Sequence, residues 1–128
     1  MDEDFVGLLF LLASLVGLPA IGVFVTRQAA EGLIGRNASG GIRTRYTKAS
    51  DPAWIAGHTA ALPVVKTMWL AAGAGVLLTI SAQVLVGGEA GAVVGVAALL
   101  AHVAILLRAA AVANSAARST TDDRTRKY

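Results

Sequence analysis

The sequence predicts an all-α integral membrane protein, with three transmembrane helices and a short amphipathic helix in the cytoplasmic loop between the first two. Three observations predict it. Hydrophobic residues make up 55% of the 128 and charged residues only 15%, and the mean hydropathy is +0.65. The apolar residues form three long clumps, at about residues 5–26, 66–86 and 91–113. A helix needs roughly 20 apolar residues to span the hydrocarbon core, and each clump supplies them. Finally, Lys and Arg lie just beyond the ends of these clumps, where they orient a membrane protein and meet anionic headgroups. A β-barrel does not fit, because its strands alternate every second residue and are about half as long.

The first clump runs from Phe5 to Thr26 and is preceded by Asp2, Glu3 and Asp4. A signal peptide starts with positive charge and has a shorter apolar region, so this segment reads as a retained helix. The cytoplasmic loop, residues 27–62, follows. It carries Arg27, Arg36, Arg43, Arg45 and Lys48 against Glu31 and Asp51. After a Gly/Asn turn comes a basic, Thr-rich stretch, then Ser50-Asp51-Pro52. That triplet starts a helix, with Ser50 as cap and proline tolerated in the first turn. Trp54 and His58 stand four apart and share one face of that helix. Trp54 is expected at headgroup level, and Pro63 is expected to bend or break the chain before the second span. Gly87-Gly88 then marks a tight turn, which makes the second and third spans an antiparallel hairpin. The tail, 115–128, is polar and charged and reads as disordered on the cytoplasmic side. The membrane domain is thus a single unit over 1–114. The acidic N-terminus and the turn at Glu89 are free of Lys and Arg, so all flanks agree on one topology: N-terminus outside, C-terminus in the cytoplasm.

The spans are rich in small residues, including Ala71 to Gly75 and the pair Gly91 and Gly95. Such residues let helices approach closely in lipid. They fit packing within the hairpin, and homo-oligomerisation through the same stripe is the alternative. His102 falls near the centre of the third span. Counting at about 1.5 Å per residue puts it level with Gly73 to Gly75 and with Gly17 to Pro19. Pro19 has no amide hydrogen, so the carbonyl of Leu15 lacks its helical partner. A neutral His102 facing the bundle and bonding such a group is one reading. A protonatable element in a conduction or sensing path is the other, although no Asp or Glu lies inside a span.

Other chemistries find little support. The absence of cysteine excludes disulfides, thiolate metal sites and cysteine nucleophiles. His58 has no second histidine or carboxylate cluster beside it to complete a metal site. No nucleophile is paired with a base, so no catalytic residue is assigned and no enzyme activity or cofactor is expected. The net charge of +3 does not point to nucleic acid, because the charges flank the spans. Arg43 and Arg45 with Thr44 and Thr47 have the chemistry to hold a phosphate. The alternative is that they set topology and touch lipid.

Within the loop, Asn37, Gly41-Ile42-Arg43-Thr44, Thr47, Ser50-Asp51, Trp54 and His58 form an ordered signature. In order and spacing it resembles the signature of the SdpI family of bacterial membrane immunity proteins. The resemblance runs from about Arg36 to Asn114, specific in the loop and generic in the helices. It implies a non-enzymatic protein of the bacterial cytoplasmic membrane that gives immunity to, or senses, a secreted peptide toxin. The partners it implies are the lipid bilayer, such a peptide, or a cytoplasmic regulator. A small accessory subunit of a larger membrane complex, and a proton-linked transporter or channel built around His102, are the alternatives.

Overall fold

A computed structural model describes residues 2–127; Met1 and Tyr128, the ends of the expected membrane domain and tail, lie outside the described residues. The chain forms four helices: α1 (Glu3–Ala30), α2 (Asp51–Lys66), α3 (Met68–Leu85) and α4 (Ala90–Thr125). Asp2 caps α1 through its carboxylate, which accepts from the amide of Asp4, and Glu3 and Asp4 favour the positive end of the helix. Ser50 caps α2 by accepting from the amide of Ala53, with Pro52 in the first turn. Gly87 and Gly88 both adopt positive φ (77° and 55°), which glycine alone reaches without strain. They close the turn between α3 and α4.

Three continuous or near-continuous helical segments are long and apolar enough to cross a membrane: Glu3–Ala30, Asp51–Leu85 and Ala90–Thr125. Protein covers only 17%, 22% and 17% of their most apolar windows. Side chains such as Phe10, Leu70, Leu77, Val84 and Leu100 point away from the bundle. So many uncovered apolar side chains are stable only where lipid is the solvent. The chain is therefore a multi-pass membrane protein.

The protein core lies mostly at the end of the bundle away from Gly87-Gly88. Counting about 20 residues back from Leu85 for the hydrocarbon core reaches Lys66, so α2 stands outside the membrane. There the hydrophobic effect operates, and α2 packs along the extension of α4 and the last turns of α1. Val23, Ala61, Val65, Met68, Ala109 and Ala113 form one buried cluster, joined by Ile42 and Ile105. Gly57 lets α2 approach α4 closely: an added Cβ would stand 3.0 Å from the carbonyl oxygen of Ala113 and from Cγ2 of Thr47. Inside the membrane, glycine does the same for α3 and α4, since a Cβ on Gly75 would meet that of Ala98 at 2.8 Å.

Three expectations need correction. The tail from 115 is helical through Thr125 rather than disordered. Ala109, Ala113 and Ala117 are fully buried at four-residue spacing, so the stripe that holds α4 under α2 reaches past residue 114. Pro63 lies inside α2, and the helix steps four residues later, at Thr67. There the amide and the hydroxyl of Thr67 both turn back to the carbonyl of Val64, at 3.1 and 2.6 Å. Trp54, expected at headgroup level, is covered by protein rather than facing outward. Trp54 is 1% exposed, held by the loop described next.

Candidate functional site

The loop between α1 and α2 folds back on α2 as a clasp, and two side chains of α2 fasten it. The indole nitrogen of Trp54 donates to the carbonyl of Ile34 at 2.9 Å. Nε2 of His58 accepts from the amide of Ile42 at 2.8 Å. Its Nδ1 is 2.8 Å from the carbonyl of Trp54. Because Nε2 accepts and a carbonyl cannot donate, the hydrogen sits on Nδ1. The ring is fully buried and its centroid lies 4.2 Å from that of Trp54. Burial pushes the His58 pKa below the ordinary 6.5, opposed in part by the bond to Trp54. The clasp therefore needs neutral His58.

Gly41 sits directly on this pair. Its φ is +97°, and an added Cβ would lie 2.9 Å from both Nε2 of His58 and Cη2 of Trp54. No other residue fits that position without moving both rings. The two threonines build the next turn. Thr47 is buried, and its hydroxyl donates to the carbonyl of Ile42 at 2.8 Å while accepting from the amide of Thr44 at 2.9 Å. The hydroxyl of Thr44 accepts in return from the amide of Thr47 at 3.2 Å. Arg43 donates from one guanidinium nitrogen to the carbonyls of Arg36 and Ala38. Arg36 reaches across to Asp51 at 3.0 Å and to the carbonyl of Lys48 at 3.2 Å. Asn37 is exposed.

The signature residues are thus brought together, but as parts of one folded loop. On the phosphate reading, Thr44 and Thr47 already use their hydroxyls on the loop itself, and Arg43 commits one guanidinium nitrogen to it. Arg45 and Lys48 remain exposed. Reading the sequence also missed Tyr46. Its ring lies 5.9 Å from the guanidinium of Arg45 and 5.7 Å from that of Arg118, within the range of cation–π attraction. This ties the loop to the far end of α4. The clue in the sequence is Ala117, which continues the alanine stripe and brings Arg118 with it.

In the membrane, Nε2 of His102 lies 2.9 Å from the carbonyl of Leu15, the acceptor that Pro19 leaves free. A carbonyl only accepts, so Nε2 carries the hydrogen here. Nδ1 has no hydrogen-bond partner among the described residues. Gln83 does not join His102. It bonds the carbonyl of Gly88 and the amide of Gly91 instead, at 3.3 and 3.2 Å.

The profile of the SdpI/YfhL protein family matches residues 34–108. The match begins at Ile34, whose carbonyl receives Trp54, and takes in the whole clasp, α2, α3 and most of the membrane part of α4. No curated protein and no solved structure matches the chain.

Proposed function

We propose that this chain, which belongs to the SdpI/YfhL family by the match over residues 34–108, is a non-enzymatic membrane protein that protects against, or senses, a secreted membrane-active peptide. The distribution of Lys and Arg supports an orientation with the clasp and the C-terminus in the cytoplasm and the N-terminus outside. The observation that carries the reading is the clasp. Six of the signature side chains (Arg43, Thr44, Thr47, Asp51, Trp54 and His58) are used to hold one short loop in a single shape. Ordering a loop costs conformational entropy, and a loop that only crossed between helices would not need so many bonds. The fixed loop presents Asn37, Arg45 and Lys48 outward as a basic platform beside the membrane, suited to a cytoplasmic regulator.

The test is survival and membrane potential of a bacterium sensitive to secreted membrane-active peptides, with and without this protein. Wild type should protect. The paired reversal Arg45→Glu/Lys48→Glu, which leaves the clasp bonds in place, should abolish protection at equal membrane abundance. Full protection by that variant would remove the platform from the function. No protection by wild type across a panel of such peptides would remove immunity itself.

A further inference from the structure

A cleft opens between α1 and α3 at the end of the bundle away from the clasp. Its wide part is a cavity of about 890 Å³ with apolar walls that include Leu8, Leu11 and Val84. A narrower apolar hollow of about 370 Å³ continues past Ile80, which lines both, to Val76 and Gly73. Gly7 and Gly73 face open space in the cleft, where an added Cβ would meet nothing within 4 Å. The mouth is acidic: Asp2, Glu3 and Asp4 from the start of α1 and Glu89 from the α3–α4 turn line the same cavity.

Helix capping accounts for part of this charge. Asp2 caps α1, and Glu3 and Asp4 favour its N-terminus. It does not account for Glu89, which makes no side-chain cap bond to α4 and comes from a different element. The ion pairs of the described residues, Arg36–Asp51 and Arg118–Asp122, involve none of the four. Every Lys and Arg of the chain lies at or after Arg27, and the intervening turn has none. Four carboxylates that have no Lys or Arg partner among the described residues therefore line the mouth of an apolar cleft.

We propose that this cleft docks a cationic amphipathic peptide lying in the adjacent leaflet, with basic side chains on the acidic rim and apolar side chains along α1 and α3. Charge complementarity decides the occupant. An anionic phospholipid would be repelled by the carboxylates, and a zwitterionic one brings no net positive charge to them. Lys and Arg side chains carry apolar stems and place their charge at the interface, where the rim stands. The cleft lies within the size range of sites that bury most of a small ligand. The inference rests on the proposed function only for its biological sense. Binding is read in vesicles and protection in cells, so either can fail while the other stands.

The test uses the full chain in phosphatidylcholine vesicles, which carry no net charge. The probe is a dansyl-labelled helical peptide of Leu and Lys, beside a counterpart with Glu for each Lys. Trp69 lines the inner hollow and serves as energy-transfer donor, with Trp69→Phe as the blank. The Lys peptide should give saturable transfer, and the Glu peptide none. Neutralising the rim with Asp2→Asn/Glu3→Gln/Asp4→Asn/Glu89→Gln should weaken binding at least tenfold, each basic contact at a charged surface being worth about fivefold. Filling the slot with Gly7→Phe/Gly73→Leu should abolish it, and both changes replace glycine by better helix formers in open space. Transfer that is absent, or indifferent to the rim or to the filled slot, would overturn the proposal. Saturable transfer to dansyl-phosphatidylethanolamine, blocked by the filled slot but unaffected by the rim, would assign the cleft to lipid and overturn it as well.

Discussion

Replacing His102 by leucine should destabilise the bundle, and replacing Pro19 by alanine should remove part of that cost. The Nε2 of His102 is 2.9 Å from the carbonyl of Leu15. In an unbroken helix that carbonyl would accept from the amide of residue 19, which proline lacks. With His102→Leu alone, the carbonyl is left unpaired in hydrocarbon, where no water can replace the donor. With Pro19→Ala also present, the restored amide takes the carbonyl. Loss of ring packing is the same in both backgrounds and cancels in the double-mutant cycle. Hydrogen bonds between transmembrane helices contribute about 0.6 kcal/mol on average and about 1.7 at most. The coupling should be near the upper part of that range, about 1 kcal/mol, because the acceptor has no helical partner to fall back on. That corresponds to about a fivefold difference in the unfolding equilibrium. Steric-trap or detergent unfolding of the four proteins measures it. If His102→Leu costs the same with proline and with alanine at position 19, the contact does not substitute for the missing helical bond. His102 would then need another explanation, such as a protonation role.

Gly41→Ala should open the clasp, since it forces an L-residue to φ +97° and places a Cβ 2.9 Å from both His58 and Trp54. The expected cost is about 1–3 kcal/mol from the backbone alone, seen as a red shift of Trp54 emission in a Trp69→Phe background. The clasp should also loosen in acid. Burial lowers the folded-state pKa of His58 below 6.5, so the unfolded loop takes up a proton first. The contribution of His58 is complete above pH 6.5 and declines as pH falls from there toward the folded-state value. Trp54 quenching by the protonated ring should set in only below pH 6.5, and quenching that is already complete above pH 6.5 would contradict the neutral-ring assignment.

How much of this was legible depends on which solvent each segment meets. In lipid the rule is local: length and apolarity place a span, and the three clumps at 5–26, 66–86 and 91–113 agree with the helical segments observed to within one residue. A missing amide at Pro19 and a polar side chain at the same depth are also local facts, which is why the contact between His102 and Leu15 could be anticipated by counting. Outside the membrane the chain folds like a soluble protein, and what decides its shape is tertiary. The shared face of Trp54 and His58 follows from their spacing. Their partners, the carbonyl of Ile34 and the amide of Ile42, lie 20 and 16 residues away in backbone that carries no side-chain signal. That Trp54 is covered by the loop was not legible for that reason.

The same distinction explains why α4 runs on through Thr125. Read locally, the segment after residue 114 is polar and has little to bury. Read against α2, its alanines at 113 and 117 continue a stripe that begins at Ala109, each fully covered. Small residues serve both halves of this helix, but for different reasons. In the membrane Gly91 and Gly95 are buried at a surface where close packing replaces the hydrophobic effect. Beyond it, the alanines hold α2 near enough for Gly57 to touch the backbone at Ala113. The helix is therefore a single strut linking the acidic mouth at one end to the clasp at the other, with Arg118 reaching Tyr46. A ligand that shifts α1 or α3 against α4 at the mouth has a rigid element through which to act on the loop. If the cleft binds peptide as proposed, Trp54 emission should change on binding in Trp69→Phe protein. It should not change when Tyr46→Ala and Arg118→Ala together remove the tie between loop and helix. An equal response in that variant would show that α4 is not the route.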